Sequence, residues 1–572
     1  MHYQLSTFFL LLLASVACKN DAPIPELSVG SKEPTHGIRL AWDYSTRQQL
    51  SPAGSGYGGY ARMSVLEDNS WFVVYESEGH IHGRKSWDEG ETWSEDVVIA
   101  SPEGGVLATV PEILQLQNST VMVSYNMRPG AQAPTGSRFG IRIKMSQDFG
   151  VTWSVYTEVY QAGTAFENGC WEPAQIQFPN GEIQLYIANE GPYTNSAEQE
   201  ITMFSSIDDG LTWSDGKTIS FRSGHRDGMP VPLILNDGRV VMSIEDNGVL
   251  PPEFKPVIIE SEDGSWAQAP VGGSASARKS LFEGENRIAG TKYAGAPYVQ
   301  QLPGGEVLLS YQSDEFRARN QWDQSDMVVA IGDANTWSFG CKSRPFYFEN
   351  PEKTCLWNSI RVINDHEVIA LGSTNAFGPN IAVWMIKGVV IPAVLKVPKA
   401  IVSSDEDFPE NFLAADSVFI GGRGATQARF RFSYDEQYLY LRTIVKDQEV
   451  RGTDGISLYL DPQNRSYEAP AEGVYAFRFY HNGELEWSIG DHGLWKTIND
   501  SETIIFAQTT SEGYVLETKI PWGELGDLPI MDQRIGYHVQ LHEQSATATY
   551  TENLSSNKPD QPYTWSALKL TE

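Results

Sequence analysis

Along most of the chain lie short alternating or apolar runs bounded by turn signals, the pattern of β-strands. Ser70-Trp71-Phe72-Val73-Val74-Tyr75, Thr120-Val121-Met122-Val123-Ser124-Tyr125 and Glu182-Ile183-Gln184-Leu185-Tyr186-Ile187 open the series. Arg239 to Ile244, Glu306 to Tyr311 and Glu367 to Leu371 continue it. Most follow an Asn, Asp or Gly turn such as Asn180-Gly181, Asp237-Gly238 or Gly304-Gly305, which suits tight reversal between antiparallel strands. Six such units at blade-like spacing predict an all-β chain built around a six-bladed β-propeller, since radial repetition leaves few open strand edges. The segment Ile38-Arg39-Leu40-Ala41-Trp42 is expected to complete the last blade and close the ring.

A turn repeats between these runs. Ser86-Trp87-Asp88-Glu89-Gly90-Glu91-Thr92-Trp93 recurs as Ser146 to Trp153 and again as Ser206 to Trp213, with Asp88, Asp148 and Asp208 spaced 60 residues apart. Degraded copies follow at Ser261 to Trp266 and Gly332 to Trp337. In such a hairpin tip the Asp is expected to cap its own backbone two residues on, the Gly to supply a positive φ, and the Trp to plug the turn from beneath. The pattern S-x-D-x-G-x-T-W resembles the Asp-box of sialidase-like propellers. It carries structure and no chemistry.

Past Val397-Pro398-Lys399-Ala400 the repeat stops, and Ala428 to Tyr434, Tyr438 to Arg442, Ile456 to Leu460 and Tyr475 to Phe479 alternate cleanly. One buried face per strand predicts a β-sandwich. The run from Phe430 to Asp447, with Leu460-Asp461-Pro462 and Ile520-Pro521-Trp522-Gly523-Glu524-Leu525, resembles carbohydrate-binding module family 9. That resemblance implies sugar binding, for which Trp487 and Trp495 are the stacking candidates, while Trp522 is expected in the core.

The 572 residues carry 42 Lys+Arg against 73 Asp+Glu, a formal charge of −31, which excludes a nucleic-acid binder that must neutralise phosphates. The apolar run Phe8 to Ala14, too short to span a membrane, reads as a secretory signal. Small residues before Cys18 resemble a bacterial lipoprotein signal, although Ser15 replaces the usual Leu. Lipidation of Cys18 would tether a periplasmic or cell-surface protein to the outer membrane. The expected organisation is a signal over 1–17, a linker over 18–35, the propeller over 36–396 and the sandwich over 397–572. Cys341 and Cys355 lie close enough in sequence to pair, and Cys170 is left over. No Cys/His cluster has zinc spacing, and no Gly-rich phosphate loop or flavin motif implies a cofactor. Structural calcium fits both domain types, but no loop carries a recognisable ligand spacing.

Candidate chemistry was sought at equivalent positions of successive blades, because propeller sites gather on the central axis. Arg62 opens the first blade, Trp171-Glu172-Pro173 the third, and Arg226-Asp227-Gly228-Met229-Pro230 the fourth; Glu245 and Tyr311 end strands of the fourth and fifth. Trp-Glu-Pro, Asp-Gly-Met-Pro, a strand-end Glu and Leu-Ser-Tyr-Gln together resemble glycoside hydrolase family 93, whose members are exo-acting arabinanases. The resemblance implies that Glu172 and Glu245 are catalytic, as acid/base and nucleophile of a retaining mechanism, with Tyr311 orienting the nucleophile. Arg62, Trp171, Arg226 and Asp227 are the candidate substrate contacts, and a poly- or oligosaccharide the expected partner. An exo-α-sialidase is the competing enzyme reading, although Arg62 lacks the expected Phe/Tyr-Arg-Ile-Pro context and Glu76-Ser77-Glu78-Gly79 offers Glu where Asp is expected. A non-catalytic glycan-binding protein is the third reading.

Overall fold

The computed structural model describes residues 37–348, 350–403, 408–421, 426–526, 529–554 and 557–572. The signal segment, Cys18 and the linker lie outside these. Six four-stranded antiparallel sheets form the first region. Blade one comprises Gly58–Val65, Trp71–Ser77, His80–Ser86 and Val97–Ala100, and blades two to five follow in chain order to Phe339–Ser343. Blade six takes Cys355–Val362, Glu367–Thr374 and Ala382–Pro392 from the end of the region and its outermost strand, Ile38–Gln49, from the beginning. This exchange closes the ring as the Ile38 to Trp42 segment leads one to expect. The first strands of successive blades pack on one another, and that of blade six packs on that of blade one, so they line the axis. The core lies between blades: Phe72, Val74, Val121 and Val123 join blades one and two, and equivalent sets join the others.

The repeated turns are built as hydrogen-bonded knots. Ser86 Oγ donates to Asp88 at 2.8 Å and accepts from Gly90 N at 2.8 Å, and Asp88 accepts from Thr92 N at 2.9 Å and Thr92 Oγ1 at 2.5 Å. The Asp thus caps a residue four positions on rather than two. The same bonds recur around Asp148 and Asp208. The Gly takes positive φ in each turn, and a Cβ on Gly150 would sit 2.3 Å from Phe72 of the preceding blade. These turns follow the third strand of a blade. In an antiparallel sheet that end is opposite to the end where the first strand begins and the second finishes, so the turns lie on the far face from Glu172 and Glu245.

The second region has an eight-stranded sheet, which starts with Val394–Val397 paired in parallel with Ser566–Leu570, and a five-stranded sheet centred on Tyr438–Lys446. Phe430, Phe432, Phe477, Phe479, Trp522 and Tyr537 fill the space between them. Ala41 and Ile391 of blade six belong to the same cluster, and a Cβ on Gly421 would meet the Trp42 carbonyl oxygen at 2.5 Å. The ring-closing strand therefore packs on the propeller with one face and on the sandwich with the other. Cys170, Cys341 and Cys355 are all free thiols, so the pairing of Cys341 with Cys355 does not form.

Candidate active site

Every innermost strand bulges just inside one mouth of the ring. Its pairing with the second strand skips two residues, at Tyr60-Ala61, Val110-Pro111, Glu172-Pro173, Met229-Pro230, Ala296-Pro297 and Trp357-Asn358. The first residue of each pair has positive φ, from 48° to 52°, a strained backbone for a residue with a side chain. Neighbouring blades hold five of the six amides. Ser373 Oγ accepts from Tyr60 N (3.2 Å), Glu76 Oε2 from Val110 N (2.7 Å) and Asn126 Oδ1 from Glu172 N (2.8 Å). Glu245 Oε2 accepts from Ala296 N (2.9 Å) and Gln312 Oε1 from Trp357 N (2.7 Å). Ala188 fills the sixth position. The bulge residues Tyr60, Val110, Met229, Ala296 and Trp357 pack into an apolar floor, with Tyr60 and Trp357 stacked at 4.6 Å. Glu172 is the ionisable member of that ring.

Around it stand further polar groups. Burial pushes the Glu172 carboxyl up to about 8, with Glu245 and then Glu190 adding to the rise and Arg226 and Arg128 opposing it. Burial also raises Glu245, against the Ala296 amide, Arg226 and a hydrogen bond from Tyr293. Glu172 and Glu245 are thus close enough to repel, and Glu172 holds its proton at neutral pH, while the Ala296 amide, Arg226 and Tyr293 favour the ionised form of Glu245. Arg226 pairs with Glu190 at 2.5 Å, and Trp171 Nε1 donates to the other Glu190 oxygen at 2.7 Å. Arg128 lies 5.2 Å over the Trp171 ring. Trp322, 51% exposed, stands at the rim 6.3 Å from Tyr293 and 6.2 Å from Trp357. This is a desolvated acidic cup with two guanidinium groups and an aromatic lip, suited to a neutral polyol.

Of the residues singled out in the sequence, Glu172, Glu245 and Arg226 meet in this cup. Trp171 is buried and reaches it through Glu190. Arg62 lies one layer deeper, beneath the floor, 3.2 Å from Glu112 and 5.0 Å from the Tyr298 ring. Asp227 lies at the start of its strand but is buried away from the axis, held by Arg278 at 2.6 Å and by Ser220. It secures the strand and faces no substrate. Tyr311 does not reach Glu245: it is 0% exposed, packs on Phe282 and donates to Glu315 at 2.7 Å. The pairing of Gly295 with Gln312 turns Gln312 toward the axis and Tyr311 into the inter-blade core. Tyr293 takes the place beside Glu245.

In the sandwich, Trp487 is buried against Phe477 and Tyr475 with its Nε1 on the Asp500 carbonyl. It is a core residue and not a stacking platform. Trp495 is half-buried on Tyr459, and Trp522 is in the core as expected. One concave surface of the sandwich is lined by Asp461, Arg465, Tyr467, Tyr475, Asp491 and His492. Among the described residues no group of three or more His, Cys, Asp or Glu is arranged to hold a metal.

Sequence reasoning passed over Tyr57, Tyr293, Glu190, Arg128, Trp322 and Trp357, and weighed Glu76 only for a sialidase. One signal was legible: Tyr57-Gly58-Gly59-Tyr60 and Tyr293-Ala294-Gly295-Ala296 place a Tyr two residues before the glycine that precedes the bulge.

Residues 410–570 match the family model described as "Carbohydrate family 9 binding domain-like". No curated protein matches the chain. Among solved structures, the GH93 α-L-arabinofuranosidase of Fusarium graminearum with arabinobiose is 18% identical, with a TM-score of 0.44 over 62% of this chain and 97% of its own. The Penicillium chrysogenum α-L-arabinanase with arabinobiose is 17% identical, with a TM-score of 0.44 over the same shares of the two chains, 62% and 97%. A family 9 carbohydrate-binding module of Caldicellulosiruptor kristjanssonii with cellotriose is 17% identical over 31% of this chain and 93% of its own, with a TM-score of 0.26.

Proposed function

We propose that the axial cup hydrolyses the terminal glycosidic bond of a neutral polysaccharide, with α-L-arabinofuranosyl linkages of an arabinan the leading substrate. The observation that carries this reading is the carboxyl of Glu172, pushed up to about 8 in a cup it shares with Glu245. Two carboxyls whose affinities for a proton are driven apart are what glycoside cleavage requires. Glu172 donates its proton to the leaving oxygen as the glycosidic bond breaks. Glu245, ionised and steadied by the Ala296 amide and Tyr293, attacks the anomeric carbon and forms a glycosyl ester. Glu172, now ionised, takes a proton from water as that water attacks the ester, and both carboxyls return to their starting states. The apolar floor stops the chain from threading through the ring, which supports exo action. The arabinan preference rests on the blade motifs that resemble family 93.

The arginines speak against a sialidase. A sugar carboxylate needs several free guanidinium groups, whereas Arg62 is committed to Glu112 below the floor and Arg226 to Glu190. The C-terminal sandwich would hold the enzyme on its polymer and raise its effective concentration there. Tethering through Cys18 on an outer membrane remains part of the proposal. Wild type, Glu172→Gln and Glu245→Gln assayed on arabinan, sialyl conjugates and aryl glycosides test the reading. Release of arabinose, cut about a thousandfold or more in either variant, is expected. Release of sialic acid would transfer the site to the competing enzyme, and binding without turnover to a glycan-binding protein.

A further inference from the structure

The ring at the mouth holds a second glutamate, Glu76, with the same kinds of partner as Glu245, although its tyrosine comes from its own blade and that of Glu245 from the next. Glu76 ends the second strand of blade one as Glu245 ends that of blade four, and each pairs with the glycine before a bulge, Gly59 and Gly228. Blades one and four face each other across a six-bladed ring. Each carboxylate receives the amide of the next blade's bulge residue through Oε2, from Val110 at 2.7 Å and from Ala296 at 2.9 Å. A tyrosine hydrogen-bonds each, Tyr57 to Glu76 and Tyr293 to Glu245. Each tyrosine folds back over a glycine, so that a Cβ on Gly59 or Gly295 would sit 2.3 or 2.2 Å from its hydroxyl. An arginine faces each, Arg128 and Arg226.

Holding a strained amide does not need a buried charge. At the equivalent positions Asn126, Gln312 and Ser373 do it with neutral oxygens, at 2.8, 2.7 and 3.2 Å. A buried carboxylate costs more than an amide, so its presence at only two of six positions asks for another reason. At Glu245 the proposed chemistry supplies it. Glu76 is only 8% exposed and has no such part in cleavage.

We infer that Glu76, fixed by Tyr57, is a sugar-binding carboxylate that grips the hydroxyls of the terminal residue from the side of the cup opposite Glu245. One oxygen is taken by Val110, and its remaining acceptor capacity meets vicinal hydroxyls, whose two O–H donors suit a carboxylate. The ligand class is a neutral sugar, since an acidic sugar would be repelled. This inference rests on the cup being a sugar site, and its test separates it from the cleavage reading.

Glu76→Gln preserves the amide hold, as Gln312 does for Trp357, and is expected to fold and melt like wild type. Titration calorimetry of arabinobiose into the full-length Glu172→Gln protein, with and without Glu76→Gln, reads binding in the cup. Loss of a hydrogen bond to a charged group should weaken that binding about 10- to 100-fold. Tyr57→Phe should show part of the same loss, and Glu76→Asp part of a recovery. On the catalytic background Glu76→Gln should raise KM more than it lowers kcat. Binding and kcat/KM both within twofold of their parents would overturn the inference while leaving cleavage intact. A wild type that cleaves nothing, but whose sugar binding falls on Glu76→Gln, would keep the inference and remove the cleavage. A cup that binds no neutral sugar would overturn both.

Discussion

A carboxyl held protonated at neutral pH is expensive for the fold that contains it. The folded protein binds a proton at Glu172 that the unfolded chain releases near the ordinary carboxylate range, so stability falls as pH rises from there to about 8. Glu172→Gln should therefore melt above wild type at pH 8, and differential scanning calorimetry should show the gap closing toward pH 4. A gap of the same size at both pH values would remove the buried proton from the account. The two tyrosines make a sharper contrast. Tyr293→Phe should lower kcat, because it removes the hydroxyl that steadies Glu245, whereas Tyr311→Phe should leave kcat unchanged and cost only stability. Asp227→Ala should strip Arg278 of a buried partner and destabilise by about 3–5 kcal/mol without changing kcat per folded molecule, in urea unfolding and active-site-normalised assays.

At the scale of elements, the strands and their turns were largely readable and the bulges were not. The short apolar runs Val240 to Ile244 and Val121 to Tyr125 mark strands because both faces enter inter-blade cores and every residue is buried. Asp88, Asp148 and Asp208 at constant spacing set the blade count in motion. A skip of two residues after Gly59, Gly228 or Gly295 leaves no mark on hydrophobic period, yet it decides which side chain meets the axis. Hence Glu172 and Glu245, placed by motif, fell in the cup, whereas Tyr311 was assigned one residue away from the axis-facing Gln312. Trp487 failed for a related reason: an aromatic in an alternating strand is as well placed for the core as for solvent. The bulge geometry itself is open to test. Gly295→Ala would push a methyl group to 2.2 Å from the Tyr293 hydroxyl and 2.4 Å from Glu245 Oε2, so kcat should fall at least tenfold. An active Gly295→Ala protein with unchanged kcat would show that Glu245 needs no such fixed place.

For the whole molecule, the ring-closing strand joins two regions whose relation composition alone did not reveal. Because Ala41 and Ile391 belong to the sandwich core, deleting the chain from Val397 should expose apolar surface on blade six as well as remove the module. The truncated protein should melt lower than the full chain, yet keep its kcat on a small aryl glycoside, with the loss concentrated on polymer. The acidic charge of −31 belongs to this scale too, since it disfavours a polyanionic ligand and agrees with the neutral sugar proposed for the cup. The account stands most directly on the division of labour between Glu172 and Glu245, which leaving-group dependence resolves. Glu172→Gln should retain most of its kcat/KM on dinitrophenyl α-L-arabinofuranoside, whose leaving group departs without a proton, with a burst of dinitrophenol as ester hydrolysis becomes slow, and lose about a thousandfold on arabinobiose; Glu245→Gln should lose both. Equal rates for wild type and both variants on arabinobiose would contradict the account.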